Sequence, residues 1–430
     1  MVPAARIAAA IEVLDAIVAR REPAAESLKD WGKAHRFAGS KDRSAIAGLV
    51  FDALRRKSSA AWIMGAETSR AIMIGALREA RGLDANAISG FFTGEGHAPA
   101  PLSAVERERL ATGSLDDAPD HVRGDYPEWL APQFAAVFGE HAAAEGRALS
   151  DRAPVDMRVN TLQGTREAAL KMLAHLGPVE TPFSPLGLRI AVGSEGRAPA
   201  LSAEPAYARG RIEVQDEGSQ LASLLAGAGE GIQALDLCAG GGGKALALAA
   251  IMNNTGQIYA TDSDGRRLMP IFPRIERAGV RNIQVRAPRG AADILGDLEG
   301  RCDLVFVDAP CTGVGAWRRN PDAKWRTRPG ALEQRMKDQD AVLAAAARYV
   351  ESGGSICYTT CSLLREENED RVAAFLEAHG DFLPREATHM ARLAGVPALA
   401  PFASPFGPGL RLSPRTTGTD GFYVTSLIRS

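Results

Sequence analysis

Apolar residues recur along this chain at three kinds of spacing, and the kind changes twice. Near the start, Ile7, Ile11, Leu14, Ile17 and Val18 fall three or four residues apart, with polar residues between them. Ile46, Leu49, Val50 and Leu54 repeat the pattern after Asp42 and Arg43. That period puts them on one face of a helix. Turn clusters at 94–96 and 99–101 break the segments apart. Residues 1 to about 145 therefore read as an all-helical domain. From about 150 to 210 the pattern is mixed: a short strand at 154–160, a helix at 166–176, then a Pro- and Gly-rich stretch with weak strands. This is the pattern of a small α+β module.

From about residue 211 to 430, strand-like and helix-like segments alternate. The runs 232–238, 257–262, 282–286, 303–309 and 354–359 are apolar without clean alternation. Such runs suit strands with helices on both faces. The fold class expected is α/β, a doubly wound and mainly parallel sheet. Two further runs, 410–413 and 421–427, suit an antiparallel hairpin at the sheet edge.

Composition narrows this picture slightly. The chain has 430 residues, 46% of them apolar, enough for two or three separate cores. Its apolar runs are short and interrupted, and the N-terminus lacks a signal-peptide pattern, so a cytoplasmic protein with no membrane contact is expected. A net charge of −2 does not advertise a nucleic-acid binder, although a local basic patch can act alone. The five cysteines (Cys238, Cys302, Cys311, Cys357, Cys361) are an odd number without metal-ligand spacing. Neither a disulfide framework nor a metal site is expected.

Candidate chemistry begins at 235–244, which reads LDLCAGGGGK and links the first strand of the sheet to a helix. Its glycines let the chain turn tightly and let a ligand approach the main chain. Asp262, at the end of the second strand, can accept hydrogen bonds from ribose hydroxyls. Loop, helix and acid together indicate a nucleoside-bearing cofactor. The spacing is neither GxGxxG nor that of a P-loop, so a dehydrogenase is disfavoured.

Two cysteines follow strands directly. The fourth strand runs into Asp308-Ala309-Pro310-Cys311 and the fifth into Thr360-Cys361-Ser362. In an open parallel sheet both loops lie on the rim where ligands bind. Cys302 and Cys357 read as small buried hydrophobes.

Together these motifs resemble the RsmB/Fmu/Sun family of RNA cytosine-5 methyltransferases, over essentially the whole chain. The resemblance implies a class I (Rossmann-like) methyltransferase domain at 211–430 with S-adenosylmethionine as cofactor. Cys238, Ala239, Gly240, Gly241, Gly242, Gly243 and Lys244 match the family's Cys-Ala-Ala-Pro-Gly-Gly-Lys loop except at Gly240 and Gly241. Asp262 matches its ribose-binding acid, and Asp308 is placed to act on the ring-nitrogen edge of the base. By the same resemblance Cys361 is the nucleophile and Cys311 assists product release. Arg158-Val159-Asn160, Val214-Gln215-Asp216 and Asp420-Gly421-Phe422 also match family signatures. The helical half resembles the RNA-binding fold of NusB, and bacterial small-subunit rRNA enzymes share this layout, which implies 16S rRNA as the partner; a monomer is expected. The alternatives are a tRNA enzyme or a non-catalytic ribosome-assembly factor. The family's acid after the third strand is missing: 285–290 reads VRAPRG, and Asp293 comes several residues late.

One basic segment is left over. Residues 317–328 read WRRNPDAKWRTR. Arg318, Arg319, Lys324 and Arg326 are candidate phosphate contacts, and the tryptophans candidate stacking surfaces for unpaired bases.

Overall fold

The computed structural model describes residues 1–192, 199–290 and 292–430. The chain divides into two compact units. The first takes in Met1–Ala153 and, from far along the chain, Trp317–Thr327. Its leading helices are Pro3–Arg20, Ala24–Ala34, Ser40–Arg55, Lys57–Met64 and Ser69–Glu79. Their starts follow local chemistry. Pro3 opens the first helix, where its missing N–H costs nothing, and Thr68 caps another by accepting the Ala71 N–H. Ile7, Leu14, Ile17, Ile46, Leu49, Val50 and Leu54 share one core with Trp31 and Met73. In the first helix the buried arc runs through Ala10, Val13, Leu14 and Ile17. Ile11 therefore lies on its flank, and Val18, in the last turn, is 58% exposed.

The late segment 317–327 completes this helical unit. The Trp317 ring stacks on Phe134 with centroids 6.0 Å apart, and Trp325 Nε1 donates to Leu54 O at 2.7 Å. The Asp322 carboxylate accepts the Ala24 N–H at 3.2 Å. Burial of Trp317 and packing of Trp325 against the core outweigh the segment's cations in deciding where it packs.

The second unit holds two sheets. The smaller comprises β1 (Val155–Val159), β2 (Val179–Glu180), β3 (Gly187–Ile190) and β4 (Ile212–Val214), in the order β2-β3-β1-β4 and antiparallel throughout. The larger comprises β5 (Gln233–Asp236), β6 (Gln257–Ala260), β7 (Ile283–Val285), β8 (Cys302–Asp308), β9 (Val350–Thr360), β10 (Phe382–Pro384), β11 (Leu410–Leu412) and β12 (Phe422–Arg429). Its order is β10-β12-β9-β8-β5-β6-β7. β5 to β9 pair in parallel, and β12 alone runs against β9. The expected antiparallel pairing at the sheet edge is present, with β11 against β12 over Phe422–Val424, and an unforeseen strand, β10, extends that edge over Leu427–Arg429.

The three short signatures interlock within this unit. Arg158 Nε donates to Gln215 Oε1 at 2.7 Å, Asn160 Nδ2 donates to Gly210 O and Ala278 O at 2.8 Å, and Asp216 accepts the Asp420 N–H at 3.1 Å. They tie the small sheet to the large one.

Candidate active site

The carboxyl ends of β5, β8 and β9 bring the candidate groups to one rim of the sheet, where an open α/β fold binds its ligands. After β5 the chain turns through Gly240 (φ +48°) and Gly242 (φ +79°), which frees the peptides ahead of the helix Gly243–Ile251. A Cβ on Gly242 would stand 2.3 Å from Ile271 Cγ1, so only glycine fits there. Gly241 stands where the resembling loop has proline, and Arg274 secures it. One nitrogen of that guanidinium donates to Gly241 O at 2.6 Å and the other to Glu213 at 3.0 Å. Cys238 contributes its backbone, with the N–H donating to Asp236 Oδ1 at 3.2 Å, and burial pushes its thiol up. The Ala239 N–H donates to Thr261 O at 2.9 Å.

Asp262 lies beside this loop. Its Oδ2 accepts the Gly240 N–H at 3.0 Å, and Arg267 holds the other oxygen at 3.2 Å. At the end of β5 stands an acid, Asp236, whose role the sequence pattern does not assign. Asp236 is 1% exposed, and its Oδ2 accepts no hydrogen bond among the described residues. Burial, with Asp308 nearby, pushes its carboxyl up to about 8. A buried acceptor without a donor is costly and calls for a ligand or water. S-adenosylmethionine fits these residues: it carries an ammonium for a carboxylate, ribose hydroxyls for Asp262 and a carboxylate for the freed N–H groups of the loop. No acid follows β7. Arg286 turns to Asp297 instead, and Asp293 accepts the Leu295 N–H at 3.1 Å.

Across the rim, Lys244 Nζ donates to Asp308 Oδ2 at 2.6 Å. Burial works against the lysine's charge, but the carboxylate of Asp308 outweighs it, and Cys361 adds to the effect, so Lys244 is held up and stays protonated. The two cysteine loops meet here, with Cys311 Sγ and Cys361 Sγ 3.4 Å apart. The hydrogen bond to Cys361, then burial, pushes Cys311 well up, so its thiol keeps its proton. Backbone contacts lock the loops together. The Gly315 N–H donates to Cys361 O at 2.9 Å, and Gly315 O accepts from Gly421 N at the same distance. A Cβ on Gly421 would fall 2.6 Å from Gly315 Cα and 2.7 Å from Leu363 Cγ, which explains the glycine in Asp-Gly-Phe. Cys302 and Cys357 are buried in the core, as expected.

The basic segment divides. Lys324 is 0% exposed and its ammonium donates to Arg55 O, Asp125 O and Ser150 Oγ at 3.0, 2.7 and 2.8 Å. With three acceptors for three protons it has nothing left for a phosphate, and we remove it from the RNA-contact set. Arg318 is buried as well, at 5% exposure. Arg319 is half-buried, and Arg326 is exposed beside Asp322 at 3.1 Å.

Sheet order, antiparallel β12, glycine loop and acid define a class I methyltransferase. Comparison with known proteins narrows the class. The family described as 16S rRNA methyltransferase RsmB/F matches residues 223–428, and its ferredoxin-like domain matches 126–194. The ribosomal RNA small subunit methyltransferase B of Sodalis glossinidius is 31% identical over 72% of this chain and 66% of its own length. That of an Escherichia coli strain is 30% identical over 75% of this chain and 70% of its own. The chain thus spans just under two thirds of the first relative and slightly more of the second. The crystal structure of PH0851 shares the fold, with a TM-score of 0.73 at 24% identity, covering 100% of this chain and 99% of that one. The chain belongs to the RsmB/F family of methyltransferases.

Proposed function

We propose that this protein moves a methyl group from S-adenosylmethionine to carbon 5 of a cytosine in RNA, with 16S rRNA as substrate. The observation that carries this reading is the pair of thiols beside the Lys244–Asp308 ion pair. Carbon 5 of cytosine is a poor nucleophile, and addition of a thiolate to carbon 6 makes it an enamine carbon. Of the two thiols, Cys361 is the one that interacts with the Lys244 ammonium, and its Sγ lies 3.4 Å from that of Cys311, which places it as the nucleophile.

The base enters unstacked, because carbons 5 and 6 must both be reached. Cys361 Sγ bonds to carbon 6, and the ring nitrogen takes up a proton from the Lys244–Asp308 pair. Bound in the loop of Gly240–Lys244 with Asp236 and Asp262, the cofactor supplies an electrophilic methyl group. Carbon 5 takes the methyl group and then loses its proton to water. The carbon–sulfur bond breaks, its electrons leave with Cys361, and the ring nitrogen returns its proton to the pair. Cys311, still protonated, donates towards the departing thiolate and eases its release. The helical unit, with Arg319 and Arg326, contributes RNA contacts.

Bisulfite sequencing of 16S rRNA and tRNA from a strain lacking the gene tests this. One cytosine in 16S rRNA should lose its protection and regain it on complementation. A protected position lost from tRNA would replace the substrate, and no lost position would overturn the reading.

A further inference from the structure

The two thiol loops are gripped by consecutive residues of one dipeptide, in the acidic run Arg365-Glu366-Glu367-Asn368-Glu369. Glu367 is 0% exposed, and its carboxylate accepts the Thr312 N–H at 2.7 Å and the Thr312 hydroxyl at 2.5 Å. Thr312 follows Cys311. Gln339, also fully buried, donates to the same carboxylate at 3.2 Å and to Pro310 O, just before Cys311, at 2.9 Å. Asn368 does the same for the other loop. Its Oδ1 accepts the Thr360 hydroxyl at 2.6 Å, and its Nδ2 donates to Ser362 O at 3.0 Å. Thr360 and Ser362 flank Cys361. The Tyr358 hydroxyl donates to Glu367 O at 2.7 Å and so ties the dipeptide to β9.

A buried carboxylate is costly, and an apolar side chain would fill this space without that cost. Burial pushes the Glu367 carboxyl up, while hydrogen bonds from Ser362, Thr312 and Gln339 oppose it. What the carboxylate adds is two acceptor oxygens at a fixed angle, which orient a peptide N–H and a hydroxyl of the same residue at once.

We propose that Glu367-Asn368 is the positioning clamp of the two thiols. Glu367 sets where Cys311 stands, Asn368 sets where Cys361 stands, and their shared backbone sets the gap. Neither residue touches substrate. The inference rests on the covalent reading above. It adds that the halves of the clamp act on different steps: loosening Glu367 impairs release of the product, and loosening Asn368 impairs formation of the carbon–sulfur bond.

The test uses the full-length protein, Glu367→Gln, Asn368→Ala and, as a milder probe of the Cys311 side, Thr312→Val. Each is given two RNAs, one with natural cytosine and one with 5-fluorocytosine, whose carbon 5 has no proton to lose and so traps the adduct. For Glu367→Gln and Thr312→Val, kcat should fall about tenfold at little-changed KM, and a denaturation-resistant protein–RNA species should accumulate on the natural RNA. For Asn368→Ala, trapping on the fluorinated RNA should slow about tenfold, with no adduct on the natural RNA. If the variants slow trapping and turnover alike, or change neither, the clamp is overturned while the covalent reading stands. If the unaltered protein does not trap on the fluorinated RNA, the covalent reading falls and the clamp with it.

Discussion

Cys311 Sγ stands 3.4 Å from Cys361 Sγ, across 50 residues of sequence. That is well beyond a disulfide bond of about 2.05 Å and suits a thiol donating to its neighbour. The relationship is not symmetric. Cys311 is pushed well up by the hydrogen bond to Cys361 and by burial, while Cys361 faces the charge of Lys244. The resemblance assigns the two thiols different work, and the structure gives them different surroundings.

Single replacements of the thiols should therefore fail differently. Cys361→Ala should lose activity by at least about a thousandfold and form no RNA adduct. Cys311→Ala should still form the bond and transfer the methyl group, then stall as a methylated adduct visible on a denaturing gel. Adduct in the first variant and none in the second would exchange the roles. Full activity in both would make the thiols structural.

Asp262→Ala should weaken S-adenosylmethionine binding by about tenfold, the loss of one charge-assisted hydrogen-bonding group. The loop should loosen as well, because Asp262 also holds the Gly240 N–H. Isothermal titration calorimetry reads this directly, and equal affinity would remove Asp262 from the cofactor site.

Asp236 separates stability from binding. Its carboxyl, ordinarily at 3.8, is pushed up to about 8 in the folded protein. Between those values the unfolded chain binds fewer protons than the folded one, so folding stability falls as pH rises through the window and levels off above it. Asp236→Asn should flatten that fall and make the protein more stable than the original at pH 8. Its affinity for S-adenosylmethionine should drop. Denaturant melts at pH 5 and pH 8, with calorimetry at pH 8, check both arms. A stable variant that binds as well as the original would sink the role given to Oδ2.

The basic segment should split in a salt titration. Arg319 and Arg326 replaced together by Ala should make the dependence of RNA affinity on salt shallower by about 1.5 in log–log slope. Lys324→Met should leave that slope alone and instead destabilise the helical unit by about 2 kcal/mol, since three acceptors lose their donor. A slope change in Lys324→Met would put its ammonium back on the RNA.

The parallel sheet was legible because β5 to β9 are apolar runs separated by helices, and burial on both faces writes itself into composition. Their ends were less so: the run at 257–262 closes as Gln257–Ala260, because Thr261 O and the Asp262 carboxylate accept the Ala239 and Gly240 N–H groups of the glycine loop. β10 escaped notice since three residues ending in proline carry no pattern. Side-chain direction was the larger gap. In sequence, 365–369 looks like a solvated charge run, yet Glu367 and Asn368 turn inwards. Lys324 looks like any surface lysine until its three acceptors are found. Asp236 did leave a signal, an acid closing an apolar strand just before a glycine loop.

The Lys324 strut also bears on how the chain is made. The contacts with Asp125 and Ser150 join residues 199 and 174 positions apart, so the helical unit encloses a piece of chain synthesised long after its own helices. Domains generally fold in order as they emerge from the ribosome. This one cannot close its interior until residue 327 is out, by which time β5 to β8 have already emerged. The N-terminal helices must therefore wait with an open seat, and a fragment cut at the end of the helices would keep that seat open permanently.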